Sequence, residues 1–246
     1  MRSKPGKSSL IQIGARRAPI YHCIIIDLGD CMNFMDTAII LAGGNSRRMG
    51  FDKQFISMGD MSITEYIIDT LKPLFPNIIL VTNKPQAYNR ADIEVVEDKY
   101  KGFGPLGGIH AGLMKSQSRY NYITACDMPY INGDYIRYMI RRLEKNEYEA
   151  EAVITRFGDW IEPFNAFYSK TLIPKIEAGI FADKRKISGL LKMADVIYIE
   201  ESIARQYSPD WDMFMNLNTE KDLMALRASK QEDGYGIHQT GIANKI

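Results

Sequence analysis

A doubly wound α/β layer with a mostly parallel sheet is the fold class this sequence predicts, and three observations carry the prediction. Short apolar runs alternate with stretches of helical periodicity through most of the chain, and no segment repeats another. The first of these runs, residues 38–41, is rich in isoleucine and breaks directly into Gly43 and Gly44. Carboxylates then stand just past two later runs, Asp98 after 95–96 and Asp127 after 122–125, where an open parallel sheet binds its ligands.

Taken in order, residues 38–41 read as a fully buried parallel strand, although periodicity alone does not separate such a run from a buried helix. The glycines decide it. Without a Cβ, Gly43 and Gly44 accept positive φ and let a phosphate approach backbone N–H groups, while Arg47, Arg48 and Lys53 supply local charge. An isolated glycine pair is equally an ordinary tight turn, and neither the G-x-x-x-x-G-K-[ST] loop nor G-x-G-x-x-G fits here.

Ser62 and Glu65 form a capping box, followed by Ile63, Tyr66, Ile67 and Leu71 at helical spacing as far as Pro73. Residues 78–82 and 95–96 read as strands. Asn83 follows the first as a turn former or a ligand, and Glu97 and Asp98 follow the second. A loop dense in glycine (Gly102, Gly104, Gly107, Gly108) leads into a predicted helix over 108–116, which suits a backbone held against a flat purine or else a flexible connection. His110 in that helix reads as packed or solvated. Residues 122–125 form the next strand, with Asp127 and Pro129 at its exit. Asn132 is the better cap for the helix that follows, with Tyr135, Ile136, Met139, Ile140 and Leu143 on its inner face, and this leaves Asp127 free for function. Two strands over 152–155 and 165–168, a helix over 187–193, a strand over 196–200 and a closing helix over 219–227, capped by Thr219, complete the pattern.

At 246 residues, with 46% hydrophobic and 25% charged residues, the chain holds one sizeable core. A formal net charge of +1 gives no bulk argument for nucleic acid or a membrane, so any positive site is local. Three cysteines without C-x-x-C spacing and three histidines argue against a disulfide framework or a zinc site and favour a reducing cytoplasm. No apolar stretch reaches transmembrane length, and the short run after Arg16 and Arg17 is interrupted by Tyr21 and His22. A phosphate loop, local cations and a strand-end carboxylate, with no serine or cysteine paired to a base, suit phosphoryl-type transfer by positioning and charge neutralisation.

The string from Leu41 to Lys53, Leu-Ala-Gly-Gly-x-Ser-x-Arg-Met-Gly followed by Asp-Lys, resembles the signature loop of the molybdenum cofactor guanylyltransferases. Glu97-Asp98 with residues 104–109, then Cys126-Asp127-Met128-Pro129, then residues 216–219, agree with that family in order and spacing. The resemblance covers about residues 36–227 and implies a Rossmann-like nucleotidyltransferase fold. It implies transfer of GMP from GTP to the terminal phosphate of molybdenum-molybdopterin, with release of pyrophosphate. The alternatives are a cytidylyl or other nucleotidyltransferase, or a non-catalytic accessory protein.

By the same resemblance Lys53 and Arg48 stabilise the leaving pyrophosphate, and Asp127 holds Mg²⁺. Leu41, Ala42, Gly43 and Gly44 meet GTP through the backbone, Asn83 contacts base or ribose, and Asp98 reads the guanine N1–H and amine. Asn218, Lys184 and Arg185 are candidates for the second substrate, although residues 183–186 also read as a solvated basic turn. Expected partners are GTP, the molybdenum-pterin and molybdoenzymes or their chaperones, with no nucleic acid and no membrane. Residues 1–35 lie outside the resemblance, and three readings compete: a start at Met32 or Met35, a disordered leader, or an extra edge strand. Residues 228–246 are expected to form a polar tail.

Overall fold

Strand β1 (Thr37–Leu41) is buried along its whole length because it pairs in parallel with a strand on each side, β2 (Asn77–Val81) and β4 (Tyr120–Ala125). The fold is that of a computed structural model, which describes residues 34–43 and 52–232. The expectations for residues 1–33, 44–51 and 233–246 lie outside the described residues. With β3 (Glu94–Val96), β5 (Ala152–Phe157), β6 (Trp160–Ser169) and β7 (Val196–Glu200), the sheet has the order β3-β2-β1-β4-β6-β5-β7. Only β6 runs antiparallel to its neighbours.

Alternation along β1 explains why its sequence is apolar without interruption. Ala38 and Ile40 enter one core with helices α1 (Ile63–Leu71) and α3 (Gly133–Lys145). Ile39 and Leu41 enter the other, with α2 (Pro105–Lys115) and α4 (Ile173–Phe181). A strand covered by helices on both faces has no solvated side, and each fully buried isoleucine contributes about 1.5–3 kcal/mol.

The predicted caps form. Ser62 Oγ accepts from Glu65 N at 3.2 Å, and Glu65 Oε2 accepts from Ser62 N at 2.7 Å. Asn132 Oδ1 accepts from Tyr135 N at 2.9 Å, which leaves Asp127 out of capping. Most boundaries shift by one or two residues, and a few move further. Helix α2 begins at Pro105, not 108, because Gly104 at φ +59 caps it and a proline needs no N–H partner in the first turn. Strand β6 is longer than residues 165–168, and α4, α5 (Ile187–Leu191) and α6 (Glu201–Ala204) divide the rest of the chain before α7 (Glu220–Glu232), which runs past Arg227. Between Val153↔Phe167 and Thr155↔Glu162, two steps of β5 face five of β6, so β6 bulges toward the end of the sheet where β4 stops.

Candidate active site

The carboxyl ends of β1, β2 and β4 open into a cleft of about 780 Å³. It lies where the chain order reverses: β2 and β3 lead away from β1 on one side, β4 on the other, so the connecting loops part. Two hydrogen bonds continue the ladder past the strand ends, Ala42 N to Val81 O at 2.8 Å and Cys126 N to Leu41 O at 3.0 Å. They fix the backbone on which Leu41, Ala42, Gly43 and Asp127 face the cleft.

On the side of α1, Asp52 caps a single turn, Lys53–Phe55, with Oδ1 accepting from Gln54 N at 3.3 Å. Its Oδ2 accepts from Gln54 Nε2 at 2.7 Å and pairs with Lys84 Nζ at 3.1 Å. Gln54 is 2% exposed, and its Oε1 accepts from Thr82 Oγ1 at 2.7 Å and from Tyr88 OH at 3.0 Å. Burial pushes the Tyr88 hydroxyl up to about 12, so it keeps the proton it donates. The turn is thereby clamped to the end of β2, and it aims Lys53 Nζ at two oxygens, Asp127 Oδ2 at 2.9 Å and Asn218 Oδ1 at 2.8 Å. Asn218 is held in turn. Leu217 N donates to Asp127 O at 2.8 Å, and Asn218 N and Thr219 N donate to Asp222 Oδ2 at 3.0 and 2.8 Å. These N–H groups, Asn218's first, hold the Asp222 carboxyl below its usual range.

The opposite wall is built by α2. Asp98 Oδ1 accepts from Tyr100 N at 2.7 Å, and burial raises its carboxyl above the usual range against that N–H. A Cβ on Gly107 would stand 2.6 Å from one Asp98 carboxylate oxygen and 2.7 Å from the other, so the glycine is what lets the helix pass this carboxylate. His110, 4% exposed, is a packed residue: its Nε2 lies 3.0 Å from Glu177 Oε1, and its ring meets the Tyr100 ring edge-on.

Lys53, Asn83, Asp98, Asp127 and Asn218 thus join Leu41, Ala42 and Gly43 around one cleft. Gly44 and Arg48 lie outside the described residues. Lys184 and Arg185 do not line it: Arg185 bonds Asp183 Oδ1 and Gly102 O and lies over the Phe103 ring, 5.1 Å from its centroid. Sequence reasoning missed Gln54, whose burial has no local signal, and Phe164, which reaches the cleft from the β6 bulge. It also missed Glu162. Burial pushes that carboxyl up to about 7, opposed by the Phe164 N–H and reinforced by the negative charge of Asp127. Among the described residues no group of three or more His, Cys, Asp or Glu side chains stands ready to hold a metal.

Residues 38–198 match the family model for a MobA-like NTP transferase domain. A molybdenum cofactor guanylyltransferase from Syntrophotalea carbinolica is 48% identical over 207 residues, spanning 84% of this chain and 97% of its own. The chain belongs to the molybdenum cofactor guanylyltransferase family. A second relative, from Peptoclostridium acidaminophilum, is 47% identical over 200 residues, 80% of this chain and 90% of its own. Among solved structures, molybdopterin-guanine dinucleotide biosynthesis protein A from Archaeoglobus fulgidus superposes with a TM-score of 0.68 at 26% identity, covering 80% of this chain and 99% of that one. The family is one of nucleotidyltransferases, and the α/β fold expected from the sequence is the fold observed. No helix among the described residues is long and apolar enough to cross a membrane.

Proposed function

We propose that this chain transfers GMP from GTP to the terminal phosphate of molybdenum-molybdopterin, giving the guanine dinucleotide form of the cofactor and pyrophosphate. The observation that carries the reading is Lys53 Nζ, fixed between Asp127 and Asn218 on one wall of a cleft whose other wall presents the half-buried Asp98. A phosphate oxygen of the pterin attacks the α-phosphorus of GTP, and the bond from that phosphorus to the bridging oxygen of the β-phosphate breaks. A phosphate monoester is already largely ionised near neutral pH, so the site needs no general base.

Lys53, with Arg48, stabilises the charge that collects on the departing pyrophosphate. Leu41, Ala42, Gly43 and Gly44 present backbone groups to the nucleotide, and Asn83 approaches from β2. Asp98 accepts from the guanine N1–H and amine, a donor pair that adenine lacks. Asn218 meets the second substrate. The residues fit Mg²⁺: Asp127 Oδ2 and Asn218 Oδ1 are hard oxygens that already converge on one cationic group, and Mg²⁺ commonly takes one or two carboxylates and completes its shell with substrate phosphates. Asp127 would hold the ion, which when bound offsets charge between the attacking and leaving oxygens. The test is release of pyrophosphate from GTP on addition of molybdenum-molybdopterin. Release that is absent, or equal with CTP or ATP, sinks the proposal.

A further inference from the structure

We infer that Asn165 is a positioning residue for the transfer step, seating the segment that carries Asn218 so that the asparagine reaches Lys53. The inference rests on the proposed roles of Lys53 and Asn218 and extends them to a buried residue with no access to either substrate. Asn165 is 2% exposed and sits in the β6 bulge in the left-handed region, at φ +49, which asparagine tolerates better than most side chains. Its Oδ1 accepts from Tyr122 OH at 2.7 Å and from Thr124 Oγ1 at 2.9 Å, and its Nδ2 donates to Met213 O. The amide orientation follows from these partners. A hydroxyl can donate to or accept from either end, but the carbonyl of Met213 accepts only, so Nδ2 must face it.

One side chain therefore joins three things: the strand that leads to Asp127, the bulge beside it, and the segment from Met213 to Asn218. That segment has a second directional tie in Leu217 N to Asp127 O. Met213, Phe214 and Leu217 are buried, which holds the segment down. Apolar burial is non-directional, however, and leaves the segment free to slide or roll, whereas hydrogen bonds fix register. Other bonds of the segment, such as Met213 N to Ser208 Oγ and Asn218 N to Asp222 Oδ2, run to neighbours in the chain, so with Asn165 removed Leu217 N to Asp127 O is left to tie it to the exit of β4, and the Asn218 side chain loses its fixed approach to Lys53.

The experiment compares Asn165→Gly, which keeps the left-handed backbone, with wild type, Asn218→Ala and the double variant. Hydrogen exchange at the Leu217 amide should quicken about tenfold in Asn165→Gly while exchange at Ile123 in β4 stays unchanged. The kcat for pyrophosphate release should fall about tenfold with KM for GTP within about twofold, and in the Asn218→Ala background the further loss should be under about twofold. Leu217 and Ile123 quickening together, or losses that multiply, would overturn the inference. If Asn218→Ala alone leaves kcat unchanged, the proposed role of Asn218 falls, and the exchange comparison still decides whether Asn165 seats the segment. Should the glycine variant fail to fold, Asn165→Asp keeps both hydroxyl bonds and loses the donor to Met213, and the same measurements decide.

Discussion

Adding one methyl group at Gly107 should damage GTP selection although it improves the helix. In an exposed helix interior, Gly→Ala stabilises by about 1 kcal/mol. Here the new Cβ would stand 2.6 and 2.7 Å from the Asp98 carboxylate oxygens and 2.9 Å from Tyr100 O. Ordinary contact needs about 3.4 Å or more, so either the carboxylate or the helix moves by close to an ångström. The backbone oxygen yields less readily than a side chain, and the carboxylate is the part that turns. Overpacking of this kind costs about 1–3 kcal/mol, which offsets the helix gain and lowers Tm slightly. The larger effect is on the base. On the proposed role of Asp98, pulling it off the guanine edge leaves donors and acceptors unpaired, worth about 1–3 kcal/mol, so KM for GTP should rise by roughly 5- to 150-fold and the preference over ATP should shrink with it. Gly112→Ala is the control, because its Cβ would meet the Ile39 side chain at 2.5 Å, in the core and away from the base. It should lower Tm and leave the GTP-to-ATP ratio alone. The assay is pyrophosphate release with each nucleotide beside thermal melts. Gly107→Ala with a raised Tm and an unchanged GTP-to-ATP ratio would refute the reasoning.

Three further outcomes are expected. Glu162 has its carboxyl pushed up to about 7 from 4.5, first by burial, so the folded state binds a proton the unfolded state has lost and stability falls as pH rises between those values. Glu162→Gln should leave stability at pH 5 nearly unchanged and add on the order of 2–4 kcal/mol at pH 8; urea melts giving the same difference at both pH values would refute it. Asp127→Asn should keep the fold and cut turnover by orders of magnitude across a Mg²⁺ titration, and an unchanged rate with unchanged Mg²⁺ dependence would sink the metal assignment. Gln54→Leu, which strips partners from Thr82 and Tyr88 and frees the Lys53 turn, should lower both Tm and kcat by losing buried hydrogen bonds of about 1–3 kcal/mol each. A variant with full turnover would show that the turn holds itself.

The strands and caps were legible because each has a local cause: isoleucine in succession for a doubly covered strand, Ser62 with Glu65, Asn132 ahead of an amphipathic run. The residues around the cleft were legible because strand ends in a parallel sheet share one edge. What hid from the sequence was produced by contact across the fold. Gly107 read as a loop residue and Gly108 as the start of the helix, yet both lie inside α2, and their small size serves the approach of Asp98 and of the Leu41 side chain, 3.3 Å from where a Cβ on Gly108 would stand. Helix α4 carries Pro174 and Gly179, which weaken its pattern, although Ile173, Ile176 and Ile180 keep its inner face. Pro163 and the bulge broke the alternation of β6, so the strand read as a short piece over residues 165–168 that left Glu162 and Phe164 outside it.

The two layers of the fold also divide the work of the cleft. Leu41 turns into the core shared with Leu106 and Ile109 of α2, the helix that passes Asp98, whereas Ala42 turns into the core shared with Ile56, Met58, Met128 and Leu217, the residues flanking Lys53, Asp127 and Asn218. Successive residues of one strand therefore anchor the wall that carries Asp98, proposed to read the base, and the wall that carries Lys53, Asp127 and Asn218, proposed to act on the phosphates, to opposite faces of the sheet. Repacking α2 should alter which nucleotide binds without moving Lys53, and disturbing the segment from Met213 to Asn218 should alter the rate without changing the base read. Gly107→Ala should thus act mainly through KM and Lys53→Ala mainly through kcat, because ground-state recognition and stabilisation of the leaving group are supported by separate packing. If both variants changed the same kinetic constant in the same proportion, the two walls would be mechanically one, and the separation read from β1 would be wrong.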